Sequence, residues 1–380
     1  MLPESASTDP IRMFLENQCN RHFQRIYSKS STTSGSGHTL YVYQAGPHPS
    51  EIVLVHKSPI PQKELKSENH FDVTAGRIEV RPMILDPAFP GLRQVLVDWP
   101  AISVLRYRPG KRLTLMGCRG SERFILKMFA DDRGLYISQV SELFYQAREA
   151  LGFAVSRPLC WEPGVNLFTQ SYLPGKPVQP LLMLTEAGNN AWILAHQMGV
   201  AIATLHASGI RLPNSFCMID QSRRTKRYCD EIKNRYPVCE RVVDELFHAL
   251  DAIHTERLDS PRSFTPIHGS MHSHQWLVDA GGLSLIDLDR AAMGHPENDV
   301  ATFITEWEYE PDAIGRPLVE KFVDGYLVSG NLNEDRLRFY RGHKHLAKAF
   351  KAARSGVVGS EQKTLRNLNK GLELLQKSSC

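Results

Sequence analysis

IHGSMHSHQWLV (267–278), the turn DAGG (279–282) and LSLIDLDRAAMGHPENDVATF (283–303) form the most informative segment of this chain. Two short apolar runs flank an Asp-Ala-Gly-Gly turn, which is the pattern of a β-hairpin. A polar loop containing His268, His272 and His274 leads into the first run, and Asp287 and Asp289 close the second. An unpaired charge at the end of a buried strand is costly, and a divalent cation is one of the usual remedies. Asp287 and Asp289 therefore read as a Mg²⁺ site, against the plainer alternative that Asp289 forms a strand-end salt bridge with Arg290 or another cation.

On the N-terminal side of the hairpin, residues 39–129 hold short β-branched and aromatic runs punctuated by Gly, Pro and Asp, which predict an antiparallel sheet. Within them LDPAFPGLRQVLVD (85–98) reads as a turn followed by a short helix. The period changes at YISQVSELFYQAREALGF (136–153), an amphipathic helix, and VNLFTQSYL (165–173) is one more strand, closed by Pro174-Gly-Lys-Pro177. AWILAHQMGVAIATLHASG (191–209) predicts a long apolar helix, and 220–257 a long charged one. At the N-terminus, 11–27 has helical spacing, and KSSTTSGSGH (29–38) reads as a flexible linker. The expected organisation is α+β and bilobal: a helix and linker over 1–38, a β-rich lobe over 39–175, and a helical lobe carrying the hairpin over 176–380.

Bulk composition excludes several classes. With 380 residues, 42 % hydrophobic and 23 % charged, the chain has the make-up of a soluble globular enzyme. No apolar run reaches the roughly 18 residues of a spanning helix, and Met1–Arg12 carries acids in place of an apolar signal core, so a cytoplasmic location without membrane contact is expected. Seven scattered cysteines, none in a C-x-x-C pair, argue for reduced thiols over a disulfide framework or zinc cluster.

The hairpin segment resembles the H-G-D-x-H-x-x-N, I-D-x-D and D-P-x-x-D-x-A signature of the aminoglycoside phosphotransferase and choline kinase family. His268, Gly269 and His272 match the opening motif, Asp287 the metal-binding aspartate, Asp289 the second carboxylate, and Pro296 and Asp299 the closing motif, with His295 in place of its first Asp. The resemblance implies a protein-kinase-like fold, ATP and Mg²⁺ as cofactors, and transfer of a phosphoryl group to a small-molecule hydroxyl. Two further departures fall on the positions that matter most. Ser270 stands at the catalytic aspartate, where a hydroxyl cannot hold a proton as a carboxylate does; loss of a general base typically costs about 10²- to 10⁴-fold in rate. Gln275 stands at the metal-binding asparagine and keeps the amide oxygen one methylene further out. The catalytic candidates are His268, Ser270 and His272, with His272 or His274 as a substitute base, and the metal candidates are Gln275, Asp287 and Asp289. The alternative is a pseudokinase, a nucleotide-binding or regulatory module with little phosphotransfer. A zinc site from His268, His272 and His274, and a hydrolase built on Ser270 without a G-x-S-x-G elbow, are weaker readings.

A kinase also needs a phosphate-binding lysine and a carboxylate to hold it. Lys127, a lone cation within the apolar strand FILKMF, fits the first role, and Glu142 on the following helix fits the second, with Glu149 in reserve. Gln170 lies in FTQSYLPGKP, which is similar to the family's nucleotide hinge, so Lys127, Glu142 and Gln170 are the expected nucleotide-binding residues. Six cations in 221–239 and seven in 336–354 place Arg341, Lys344, Lys348 and Lys351 on one helical face. That face reads first as solvated surface; at a pocket it would suit an anionic or sugar-like acceptor. No recognised module or interleaved aromatics point to nucleic acid.

Overall fold

The structure is a computed structural model that describes residues 12–13, 15–16, 24–33, 36–58, 70–72, 77–184, 188–254, 257–355 and 359–376. It divides into two compact units, the first running to Leu135 and returning for Leu159–Gln170, the second comprising Tyr136–Pro158, Ser171–Ala353 and the C-terminal helix.

In the first unit, β1 (Gln24–Thr33), β2 (Ser36–Gln44), β3 (Ile52–Ser58), β4 (His70–Asp72) and β5 (Arg77–Pro82) form an antiparallel sheet in the order β1-β2-β3-β5-β4. The expected linker over 29–38 is therefore a strand pair among the described residues, with Lys29 opposite Leu40 and Ser31 opposite His38; residues 34–35 lie outside them. Ser, Thr and Gly carry no apolar signal, yet their backbone groups pair as readily as any others when a strand is at hand. Of the helix expected over 11–27, residues 12–13 and 15–16 are helical and residues 24–27 belong to β1, while 11, 14 and 17–23 lie outside the described residues. A second sheet holds β6 (Ala101–Arg108), β7 (Arg112–Arg119), β8 (Glu122–Phe129), β10 (Pro158–Glu162) and β11 (Leu167–Ser171) in the order β10-β11-β8-β7-β6. Its apolar face packs Leu113, Leu115, Leu126 and Met128 against Leu92 and Val95 of the short helix α1 (Leu92–Asp98).

The second unit is mainly helical. Its helices are α2 (Arg133–Gln146, with its first turn in the other unit), α3 (Arg148–Leu151), α4 (Val178–Leu182), α5 (Gly188–Ala207), α6 (Met218–Arg235), α7 (Glu240–Ile253), α8 (Glu297–Trp307), α9 (Asp312–Leu327), α10 (Glu334–Ala353) and α11 (Ser360–Gln376). The helix at 136–153, expected within the β-rich lobe, joins this unit because Val140 and Phe144 bury into one core with Leu205, Trp276, Phe303 and Phe322. Two small sheets thread between the helices. One is β12-β15-β16-β9, from β9 (Ala154–Val155), β12 (Lys176–Pro177), β15 (Trp276–Asp279) and β16 (Gly282–Leu285); the other is β13-β17-β14, from β13 (Ser215–Phe216), β14 (Thr265–Ile267) and β17 (Ala292–Gly294). The pair β15/β16 is the expected hairpin, with Asp279 opposite Gly282. Its turn is pinned by Asp279 Oδ1, which accepts the Gly281 N–H at 2.8 Å, and Gly282 takes a φ of +110°.

Candidate active site

Strand β14 delivers the chain into the 268–275 loop, and Asp299 on α8 shapes that loop. Its carboxylate accepts the His268 N–H at 2.6 Å and the Gly269 N–H at 2.8 Å, and His206 Nε2 donates to it at 3.3 Å. His206 Nδ1 lies 2.9 Å from the Tyr326 hydroxyl, so the ring bridges Asp299 and Tyr326. Asp299 is fully buried. Burial alone would raise its pKa, but the His206 and His268 partners outweigh that and hold the carboxyl below the ordinary range. Gly269 has φ +74°, and a Cβ there would lie 2.2 Å from the Arg290 carbonyl oxygen, so the loop and the segment after Asp289 meet through a position that only glycine fills.

The other end of the hairpin is drawn to the same place. Ile286 is gripped on both sides: its N–H donates to the Gln275 carbonyl at 3.0 Å and its carbonyl accepts from His268 Nε2 at 3.0 Å. The next residue, Asp287, has φ +66° and ψ +53°, the left-handed region, and a 3₁₀ turn over Leu288–Arg290 carries Asp289. A non-glycine residue held there is uncommon and clusters at functional sites. Through Ile286, His268 and Gln275 are held beside Asp287 within one unit. Gln275 is buried, and its Oε1 accepts the His272 N–H at 3.1 Å; an amide oxygen has two lone pairs, so one remains for another partner. Ser270 is partly buried, and its carbonyl accepts the His272 N–H at 2.9 Å.

One residue of this neighbourhood escaped sequence reasoning. Glu306 accepts the Ser273 N–H at 2.8 Å and lies 3.8 Å from His272 Nδ1, and the ligand atoms of His272, His274 and Glu306 are within 4.8 Å of one another. Glu306 is seven residues after Asp299 on α8, hence on the same helical face, a signal that was available once Asp299 was placed. His268 is turned to Ile286 instead, so the three-histidine cluster does not form. Burial lowers the His272 pKa and Glu306 only partly offsets this, which leaves the ring neutral at ordinary pH. His295, at the position of the motif's first Asp, is buried with Nδ1 3.0 Å from the Tyr340 hydroxyl, and burial above all lowers its pKa to about 4.

Of the nucleotide-side candidates, Lys127 and Gln170 are buried and Glu142 and Glu149 are exposed. Lys127 is 5 % exposed on β8, opposite Thr114 of β7, and Gln170 is 7 % exposed on β11. Glu142 is on the exposed side of α2, with its carboxylate accepting from Gln146 Nε2 at 3.0 Å, and Glu149 is exposed beside Arg148. Both are surface carboxylates. The basic face of α10, read as solvated, is also corrected. Arg341 pairs with Glu308, Lys348 lies 4.0 Å over the Tyr309 ring, and Lys344 Nζ donates to Asn298 Oδ1 at 2.5 Å.

The profile of the phosphotransferase enzyme family matches residues 119–340, more than half of the chain, and the protein belongs to that family. Solved structures share the fold. A spectinomycin phosphotransferase, solved with ADP and spectinomycin, superposes with a TM-score of 0.52 at 10 % identity, covering 76 % of this chain and 98 % of that one. A choline kinase from Streptococcus pneumoniae gives 0.52 at 12 % identity, covering 74 % and 97 %, and an aminoglycoside 3'-phosphotransferase of type VIII gives 0.52 at 18 % identity, covering 68 % and 99 %. A search of curated proteins gives no match. Among the described residues no helix is long and apolar enough to cross a membrane.

Proposed function

We propose that this phosphotransferase moves the terminal phosphoryl group of ATP to the hydroxyl of a small, anionic or sugar-like molecule, with Mg²⁺ at Asp287 and Asp289. The observation that carries this reading is Asp287, locked in the left-handed region by the double grip of His268 and Gln275 on Ile286. The donors offered there are two carboxylates and the amide oxygen of Gln275, all hard oxygen ligands of the kind Mg²⁺ prefers. When bound, the cation would neutralise charge on the phosphates, the main electrostatic task of phosphoryl transfer. The chain's own groups do the rest. Lys127 and Gln170 serve the nucleotide. Asp299 holds His268 and Gly269 at the start of the loop, and Ser270, next in the chain, would orient the acceptor hydroxyl. Ser270 can orient by hydrogen bonding but cannot keep a proton. His272, neutral and backed by Glu306, is the proton acceptor within this loop.

The test is ATP consumption by the purified chain against a panel of sugars, amino alcohols and nucleosides, with and without Mg²⁺. Asp287→Asn should lower turnover by about 10²- to 10³-fold, the loss expected for one preorganised charge-stabilising group. Ser270→Asp should raise turnover. Nucleotide binding with no turnover against any acceptor, in wild type and Ser270→Asp alike, would overturn the enzymatic reading in favour of a regulatory module.

A further inference from the structure

Three side chains of metal-ligating type meet where the 268–275 loop reaches Glu306 on α8. Glu306 accepts the Ser273 N–H at 2.8 Å, so its carboxylate is fixed at the one residue that separates His272 from His274. His272 Nδ1 is 3.8 Å from Glu306 Oε2, and the His272 and His274 rings stack within 15° of parallel at a centroid distance of 5.2 Å. One ligand atom from each of the three residues falls within 4.8 Å of the other two.

The backbone that carries the rings is held in place. The His272 N–H is shared between the Ser270 carbonyl at 2.9 Å and Gln275 Oε1 at 3.1 Å, and a 3₁₀ turn follows over Ser273–Gln275. The Glu306 side chain is 14 % exposed and that of His272 26 %, while His274 is exposed. The cluster thus opens to solvent on the His274 side, where an ion and its water can enter. An ion pair with Glu306 would need one imidazole. The second, two residues on and stacked on the first, makes the pair a chelate.

The donor set decides which ion fits. Mg²⁺ selects oxygen ligands, as at Asp287 and Asp289, and two imidazoles suit it poorly. Zn²⁺ takes His nitrogen and Glu oxygen at about 2.0–2.2 Å in a tetrahedral arrangement, with a water in the fourth position when the protein supplies three ligands. Ligand atoms on one such ion stand roughly 3.3 Å apart, so closing the present separations takes side-chain movements of about an ångström.

We propose that His272, His274 and Glu306 form a Zn²⁺ site on the active-site loop, separate from the oxygen ligands at Asp287 and Asp289, and that zinc bound there inhibits phosphotransfer. The inhibition rests on the reading given above, in which His272 accepts the proton; the metal site does not. A neutral imidazole has one nitrogen lone pair. Once zinc takes it, the other nitrogen carries a hydrogen and the ring can no longer act as an acceptor.

Zn²⁺ binding to the full chain, without a histidine tag, is measured by competition with a chromophoric chelator. Wild type should bind one equivalent that excess Mg²⁺ leaves in place. His274→Ala and Glu306→Gln should each weaken it about tenfold or more, since even the outer partners of a metal site are worth about 10- to 100-fold. Gln keeps an oxygen that can accept the Ser273 N–H, so a loss in Glu306→Gln reports the ligand and not the anchoring of the loop. His248→Ala, an exposed histidine on α7, should change nothing. No binding by wild type, displacement by Mg²⁺, or equal binding by the His274 and Glu306 variants, as a thiol site such as exposed Cys160 would give, overturns the site. A turnover arm at saturating Mg²⁺ separates the two readings. Zinc should suppress ATP consumption in wild type, and His274→Ala should need about tenfold more zinc or beyond for the same suppression. If zinc binds at the three residues and leaves turnover unchanged, the inhibition is overturned. If zinc binding follows His274 and Glu306 while no acceptor supports ATP consumption, the phosphotransfer reading fails and the metal site stands.

Discussion

Gly269 sits at the closest approach of the two halves of the site, its α-carbon facing the Arg290 carbonyl and its N–H given to Asp299. An added methyl group would meet that oxygen at 2.2 Å and also force an L-residue to φ +74°. Gly269→Ala should therefore destabilise the chain by about 1–3 kcal/mol, the usual cost of a strained backbone position, while lowering turnover far more than that loss of stability implies. Urea unfolding and turnover measured on the same preparation check this; an equal loss in both would mean that the residue only supports the fold. The sequence shows that a glycine stands at this position. It does not show that Arg290 is what the glycine makes room for. Glu306 is the converse case, since its helical register with Asp299 is visible in the sequence but its partner, the Ser273 N–H, becomes evident only when the loop folds back on α8.

Among the elements, the pairing of α5 with α9 depends on two glycines. A Cβ on Gly199 would lie 2.1 Å from the Phe322 carbonyl oxygen, and one on Gly325 would lie 2.1 Å from the His196 carbonyl oxygen. The helix backbones therefore touch directly, with Phe322 stacked on Phe303 of α8 beside the crossing at a centroid distance of 3.9 Å. Gly199→Val should push the helices apart and cost about 1–3 kcal/mol or more, as overpacking of a close-packed core does. The same crossing places Tyr326 on His206, so the variant should also loosen the Asp299 network and reduce turnover. A Gly199→Val chain with unchanged urea midpoint would show that the crossing tolerates separation. Periodicity predicts α5 from its apolar residues, but a glycine in a helical run reads only as a weak point.

For the molecule as a whole, acid should be more damaging than charge counting suggests. The buried rings of His343 and His295 have pKa values lowered to about 3 and about 4, mainly by burial, against 6.5 when unfolded. The unfolded chain thus binds more protons than the native one from pH 6.5 down to those values, so stability rises with pH through that window and is lost on acidification, by about 1.4 kcal/mol per pH unit for each ring. Asp299, Glu306 and Glu308 are held below their ordinary values, and their contribution is lost only below about pH 4 as they protonate. Urea midpoints measured between pH 4 and 7 should fall steadily as pH decreases, and His343→Asn should flatten that slope. An unchanged slope would mean that His343 is already accessible to protons in the folded protein.

The sequence by itself determined the β-rich character of 39–129 and the helical character of the later chain, the hairpin with its turn, and the spacing of His268, Ser270, Gln275, Asp287 and Asp289, because these are matters of local period and of residue chemistry at fixed separations. It also determined the family. Tertiary structure alone decided that residues 29–33 and 36–38 pair as two strands, that Glu142 is a surface carboxylate, that Glu306 lies beside His272, and that Lys344 donates to Asn298. Each of these depends on what stands opposite a residue in space, and backbone pairing, burial and charge compensation are set by neighbours distant in sequence.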